Sequence, residues 1–234
     1  MLTTLKNAFK IKEIRQKILF TLGMLVVIRI GSQLPVPGVD TKFFSQWFAQ
    51  QTGGAFSFFD AITGGSFLNM SILALNINPY ITSSIIIQLL TIAIPALEEM
   101  QRDGEEGRKK MTAITRYVTV GLALFESIAM AIGFGRQGMI PNLDFFKGVV
   151  VVACLTAGSA MLMWLGERIT EKGVGNGISI VLTINIISRV PSDLTLLYEN
   201  FIKGKTIAKG TLAGLIIAAV ILLVVVLVLI LNGA

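Results

Sequence analysis

The chain has 234 residues, of which 53% are hydrophobic and only 15% are charged, and its formal net charge is +6. This composition excludes an ordinary soluble domain, in which about a quarter of the residues are charged, and makes a membrane the expected environment. The chain has no histidine, which excludes histidine-based catalysis, and a single cysteine, Cys154, which excludes an internal disulfide. It has no cluster of residues with metal-ligand spacing. The basic residues form no patch for nucleic acid.

The first part of the chain, residues 1–17, is basic and amphipathic. Its apolar residues Leu5 and Phe9 alternate with lysines, which is typical of a segment on the cytoplasmic surface of a membrane. The apolar run that follows ends in PVPG without a small-residue cleavage site. We therefore expect a retained first span rather than a cleaved signal peptide.

Six apolar runs approach the roughly 20 residues that cross a hydrocarbon core of about 30 Å. They are Ile18–Leu34, Ile77–Leu97, Tyr117–Phe134, Gly148–Leu165, Asn176–Val190 and Thr211–Leu231. Lys and Arg are more frequent in the segments on the same side as the N-terminus, which predicts a cytoplasmic N-terminus. The sequence therefore predicts a multi-pass helical membrane protein.

The stretch from Phe56 to Leu97 is too long for one span, because about 40 residues would make a helix of roughly 60 Å. Glycine pairs and the sequence NINP interrupt it. We expect a short helix over 61–73 that enters from outside, a turn at 76–78, and a helix with Pro79 in its first turn. Non-helical backbone at this depth needs cover from protein or water, so the turn is expected to face an aqueous cavity.

Two pairs of aliphatic residues lie on interrupted or shortened segments, which are typical of a translocation pathway. Ile77 and Ile81 are four residues apart on the second segment, and Ile178 and Leu182 are four apart on the fifth. This spacing places each pair on one helical face. Where such faces meet, the side chains form part of an aliphatic collar that excludes water. The alternative is that all four are ordinary packing residues.

Polar residues inside the spans are the other candidates for function. Glu126 lies centrally in the third span, where an ionisable side chain is costly unless it faces a cavity or a partner. Thr82 and Gln88 are its expected neighbours, and helix packing through a protonated Glu126 is the alternative. The mixed charges of Glu98–Lys110 predict a solvated cytoplasmic hairpin or, alternatively, a docking surface.

Four stretches of the chain resemble the SecY family, the central subunits of the bacterial protein-conducting channel. They are IRIGSQLPVPGVD (Ile28–Asp40), FDAITGGSFLNMSILALNINPYITSSIIIQLL (Phe59–Leu90), GRKKMTAITRY (Gly107–Tyr117) and MWLGERITEKGVGNGISI (Met163–Ile180). The resemblance extends over the whole chain and is most specific in the PYI–SIIIQLL and WLGE–GVGNGISI blocks.

The resemblance implies an all-α polytopic membrane protein. Residues 18–190 would form the five-helix half of a ten-helix inverted-repeat channel with a re-entrant plug helix, and 191–210 an external loop. Residues 211–234 would form the sixth transmembrane helix, at the start of a second half that the chain lacks.

The resemblance also implies three sets of site residues. A pore ring falls on Ile77, Ile81, Ile178 and Leu182, the four residues that helical spacing also selects. A plug at about 59–73 includes Phe59, Ile62, Gly64, Gly65, Phe67, Leu68 and Leu73. A lateral gate for signal sequences uses Thr82, Gln88 and Glu126.

The function implied is the passage of unfolded secretory polypeptides across the bacterial inner membrane and the release of signal sequences or membrane segments into lipid. The implied partners are SecE, SecG, the SecA motor ATPase, the ribosome, signal sequences, unfolded preproteins, membrane lipid and the remaining C-terminal half of SecY. No cofactor, metal or catalytic residue is expected, so the chain is not predicted to be an enzyme. A small-solute or ion secondary transporter with broken helices is the alternative.

Overall fold

The structure is a computed structural model that describes residues 11–50, 54–141, 144–201 and 207–233. In these ranges the chain is all-α, as predicted, and its β pairing is limited to an isolated bridge between Pro35 and Ser71. The helices are α1 (Lys12–Gly31), α2 (Thr41–Gln50), α3 (Gly54–Thr63), α4 (Asn78–Ala93), α5 (Pro95–Arg102), α6 (Gly104–Arg136), α7 (Phe145–Lys172), α8 (Gly177–Phe201) and α9 (Ile207–Gly233).

Four helices are long and apolar enough to cross a membrane: α6, α7, α8 and α9. The bent pair of α4 and α5 raises that number to five if it counts as one span. The predicted first span corresponds to α1, which does not meet the same criterion because Arg15, Lys17 and Arg29 lie within every 18-residue window of the helix. Residues 1–10 of the predicted surface segment lie outside the described residues.

The second predicted span is broken at a proline that the sequence interpretation overlooked. Pro79 lies in the first turn of α4, as predicted. Ile94 is extended with φ −115° and ψ 110°, because a residue before proline is disfavoured in the helical region. Pro95 then starts α5, which is bent by 104° from α4. The span therefore ends near Ala93, and α5 belongs to the charged hairpin.

Helix α6 is much longer than its predicted span, Tyr117–Phe134. Its 33 residues reach about 50 Å, which exceeds the hydrocarbon thickness. Gly104, with φ +70°, makes the turn from α5. A side chain at Gly107 would overlap the carbonyl of Met100, so α5 packs closely against the first turns of α6.

The fifth segment is not short, contrary to the prediction of Asn176–Val190. Helix α8 runs from Gly177 through Pro191 to Phe201, and α9 begins at Ile207. The predicted external loop at 191–210 is thus wrong for most of its length. A proline removes one backbone hydrogen bond, but an apolar environment favours continuing the helix over exposing further backbone groups.

The chain divides into two compact units, 1–187 and 188–234. The first contains two clusters of buried apolar residues. One is centred on Phe44, Met70 and Leu155, and the other on Ile28, Ile77 and Leu162. In the second unit, the apolar segment Gly214–Asn232 of α9 has none of its residues buried, as expected for a helix whose contacts are with lipid.

Candidate functional site

The re-entrant segment differs in form from the prediction. Instead of a helix over 61–73, α3 ends at Thr63 and a series of turns covers 64–77. Gly64 and Gly65 have φ +67° and +84°, which halts the helix, and Met70 and Asn76 are also left-handed, at +42° and +55°. The predicted plug residues therefore divide into a helical part ending at Thr63 and an irregular part after it.

The irregular part is packed into the core. Phe67 and Leu73, both predicted plug residues, are 4% and 2% exposed. Phe67 contacts the rings of Phe44, Phe48 and Phe134, with centroids 5.6, 5.3 and 6.2 Å away. These apolar side chains are part of the buried core of the first unit, where their removal from water stabilises the fold.

The backbone of the irregular part is also held in place. Its residue Ile72 donates an N–H to the carbonyl of Leu34 at 2.9 Å, and the N–H of Val36 donates to the carbonyl of Met70 at 2.9 Å. Helix α7 approaches so closely that a side chain at Gly158 would overlap the carbonyl of Ile72. Residues 66–77 are therefore a fixed component of the first unit.

The four predicted ring residues lie in one apolar cluster. Ile77 is fully buried, and Ile81, Ile178 and Leu182 are half-buried against the same core. That core is completed by residues of α1, α7 and α8, including Ile28, Leu162, Leu165, Ile169 and Val181. Ile77 is thus part of the buried cluster, whereas the other three side chains remain partly accessible.

Glycines allow α7 to approach α8 closely beside the predicted ring residues. At Gly166 of α7, an added Cβ would lie 2.7 Å from Ile178 Cδ1 and 3.5 Å from Ile77 Cδ1. A side chain at Gly177 would overlap the carbonyl of Gly166, so α8 begins in contact with α7. Asn176 caps α8 by accepting the N–H groups of Ile178 and Ser179 at 3.0 and 3.3 Å.

The predicted gate residues are not joined to one another. Thr82 and Gln88 are exposed, about 120° apart around α4, and Glu126 is half-buried on α6. In the described part of the chain no side-chain hydrogen bond connects the three. Instead, α4 is fastened to α6 by a buried contact of 2.6 Å between the hydroxyls of Ser83 and Thr119.

A buried asparagine pair lies beside the aliphatic cluster, and the sequence interpretation noticed only one of its members. Asn185 Nδ2 donates to Asn76 Oδ1 at 3.1 Å, and the two residues are 3% and 1% exposed. Asn185 follows Ile178 by seven residues, so the face that carries Ile178 and Leu182 also carries Asn185. A neutral polar residue on the predicted ring face was the signal that was missed.

The ion pair formed by Glu167 of the WLGE block was also not predicted. Arg116 of α6 and Glu167 of α7 are joined by two contacts, 2.9 Å between Nη2 and Oε2 and 3.0 Å between Nε and Oε1. Tyr80 and Ile178 line the same pocket as this pair. Among the described residues there is no group of three or more His, Cys, Asp or Glu side chains that could hold a metal ion.

Comparison with known proteins gives matches over most of the chain. A family model described as SecY matches residues 71–234. The protein translocase subunit SecY of Streptomyces coelicolor is 42% identical over 207 residues, which cover 83% of this chain and 47% of that protein. The subunit of the same name from Escherichia coli K12 is 44% identical over 183 residues, or 76% of this chain and 41% of that protein.

Solved structures share the fold. Sec61 in the canine ribosome–channel complex from the endoplasmic reticulum aligns with a TM-score of 0.60 at 21% identity, covering 81% of this chain and 42% of that one. A structure described as a protein-conducting channel gives the same values. The chain spans about half the length of the curated relatives it matches.

Proposed function

The chain belongs to the SecY family, and on that premise we propose that it forms the N-terminal half of a protein-conducting channel. This half passes unfolded secretory polypeptides across the membrane and releases signal sequences or membrane segments into lipid. The observation that carries the proposal is that Ile81, Ile178 and Leu182 are half-buried against one apolar cluster, which includes Leu73 of the re-entrant segment. The relatives are translocase subunits, so a small-solute or ion carrier is not supported.

The aliphatic surface suits a pore that must accept many side chains and exclude ions. A small ion that enters a narrow apolar waist loses its hydration shell and gains no polar partner, which is costly. An extended polypeptide fills the waist and makes only weak, non-directional contacts with Ile81, Ile178 and Leu182. No catalytic chemistry is required of this chain, because the energy for movement comes from outside it.

A lateral opening along α4 accounts for the release of signal sequences. Helix α4 exposes Ile85, Leu89 and Ile92, with 52%, 62% and 83% of each residue accessible, and Thr82 and Gln88 lie among them. Glu126 of α6 completes the polar positions that we assign to the gate. Because α4 is bound to α6 through Ser83 and Thr119, the two helices move as one side of the gate. An apolar signal sequence then partitions into lipid.

The several apolar helices make the chain a multi-pass membrane protein, which we place in the bacterial inner membrane with a cytoplasmic N-terminus. The proposed partners are SecE, SecG, the SecA motor ATPase, the ribosome and the remaining C-terminal half. The exposed charges of the α5–α6 hairpin, including the ion pair between Glu98 and Arg102 at 2.6 Å, support a cytoplasmic docking role there. Because the pore needs the remaining C-terminal half, a preparation of this half alone is not expected to conduct ions.

The ring is tested by ion leak through the assembled channel in planar bilayers. Ile81→Ala and Ile178→Ala remove aliphatic volume from the waist while retaining helix propensity. We expect each to raise the resting ion conductance, because a wider waist admits hydrated ions. The matched control is Ile30→Ala in α1, which makes the same change at a side chain that is 58% exposed and lies outside the cluster, and it should leave the conductance unchanged.

Equal conductance in the ring variants, the control and the unmodified channel would contradict the assignment of the ring. A rise in all three variants would also contradict it, because the effect would not depend on the position of the isoleucine.

A further inference from the structure

We propose that Asn76 and Asn185 are positioning residues that hold α3 in its resting place and so set how readily the channel opens. The inference rests on the proposed function and adds to it that α3, which carries the helical part of the predicted plug, is a movable closure. It is carried by a chain of buried hydrogen bonds that joins the end of α3 to two membrane-depth helices.

The chain of hydrogen bonds begins at the last turn of α3. Asn76 Nδ2 donates to the carbonyl of Ile62 at 3.2 Å, and Asn185 Nδ2 donates to Asn76 Oδ1 at 3.1 Å. The backbone carbonyl of Asn76 accepts the hydroxyl of Ser159 at 3.2 Å. The amide nitrogen of Asn76 thus contacts α3, its amide oxygen contacts α8, and its backbone carbonyl contacts α7.

The position of these bonds explains their effect on α3. The last carbonyls of a helix have no partner within the helix, and at membrane depth water is scarce. Asn76 covers the carbonyl of Ile62, while the guanidinium of Arg29 lies 3.4 and 3.5 Å from the carbonyl of Gly64 through its two terminal nitrogens. The end of α3 is therefore held from two sides by residues distant in sequence.

The residues that contact the end of α3, Asn76 and its partner Asn185, stay in place when α3 moves. Most of residues 66–77 are buried, α7 packs against them at Ile72, and Asn185 lies within α8. Displacing α3 breaks the bond to Ile62 and leaves the Asn76 amide at depth with an unsatisfied donor, which is costly. The closed position is thus favoured by polar contacts specific to it, and the equilibrium depends on them.

The test measures ion conductance per channel in the assembled channel at rest. Asn76→Gly removes the amide without backbone strain, because φ is +55° there. Asn76→Asp keeps the shape and the acceptor for Asn185 but loses the donor to Ile62. We expect each to raise the conductance at least about fivefold, the factor expected for the loss of one buried hydrogen bond.

Asn78→Ala is the matched control. Asn78 lies two residues away, at the start of α4, and its side chain makes no hydrogen bond among the described residues. This variant should conduct as the unmodified channel does. The double variant Asn76→Gly with Asn185→Ala should conduct no more than the larger single variant, because both changes interrupt the same chain of bonds.

Thermal unfolding on the same preparations separates positioning from stability. A lower unfolding temperature in the Asn76 variants, with unchanged conductance per channel, would overturn the proposal, since the asparagines would then support only the fold. If Ile178→Ala leaks and the Asn76 variants do not, the positioning role fails while the proposed function stands. If the Asn76 variants leak and the ring variants do not, the ring assignment fails instead.

Discussion

The ion pair between Arg116 and Glu167 links α6 to α7 next to Tyr80 and Ile178. The Glu167 side chain is 14% exposed, while that of Arg116 is 47% exposed, so one partner is largely withdrawn from solvent. Two contacts of 2.9 and 3.0 Å, one to each carboxylate oxygen, make this pair stronger than a flexible surface pair. It fixes the two helices beside the first turn of α8.

Glu167→Gln should lower the free energy of unfolding by about 1–2 kcal/mol, because a charge-assisted bidentate contact is replaced by a weaker neutral one. The measurement is chemical denaturation of the protein in detergent. Glu105→Gln is the control, since Glu105 forms an exposed pair with Lys109 at 3.5 Å and should leave the midpoint unchanged. Equal effects of the two substitutions would show that burial of Glu167 adds nothing.

The spacing of residues predicted which side chains share a cluster, whereas residue type did not identify the buried asparagine pair. The four-residue intervals of Ile77 and Ile81, and of Ile178 and Leu182, selected side chains that do share one cluster, because the helical period places them on single faces. The degree of burial of Ile77 was not predictable, because it depends on α1 and α7. Asn185 was overlooked because the interpretation selected ionisable residues such as Glu126, which are costlier at membrane depth than a neutral amide.

Among the elements, the re-entrant segment is divided between a helix and a fixed series of turns. Length and proline placement predicted that the chain folds back before Pro79. They could not predict where α3 ends, since that depends on left-handed glycines at 64 and 65 and on contacts with α7. The break at Pro95 and the continuation of α8 past Pro191 show the same limit: a proline identifies a possible break, and the neighbouring helices decide whether it forms.

Gly158 makes the packing of the fixed turns testable. Gly158→Ala places a methyl group against the carbonyl of Ile72, so α7 and the turns must separate. We expect a loss of about 1–3 kcal/mol in the free energy of unfolding, as for overpacked interiors. Chemical denaturation followed by circular dichroism gives this value.

The control for that change is Gly121→Ala in α6, where an added Cβ meets no atom within 4 Å. Alanine favours helix over glycine, so this variant should be as stable as the unmodified protein or gain up to about 1 kcal/mol. A Gly158→Ala protein as stable as Gly121→Ala would mean that α7 does not approach the turns as closely as described.

At the level of the whole molecule, the family and the all-α fold followed from sequence motifs and composition, whereas the surfaces available to a second half did not. Ile81, Ile178 and Leu182 remain half-buried on the first unit, and a ring around a polypeptide needs further residues opposite them. On our proposal those residues come from the remaining half of the channel, consistent with a chain that spans about half the length of its relatives.

The most direct measurement is site-specific photocrosslinking of a stalled secretory polypeptide in the assembled channel. A photoreactive residue at Ile178, in a channel that is engaged with its substrate, should give a covalent adduct with the translocating chain, and one at Ile30, an exposed residue of α1 outside the cluster, should give an adduct with lipid or none. An adduct at Ile30 without one at Ile178 would contradict the account, because the polypeptide would then pass along a different face of this half.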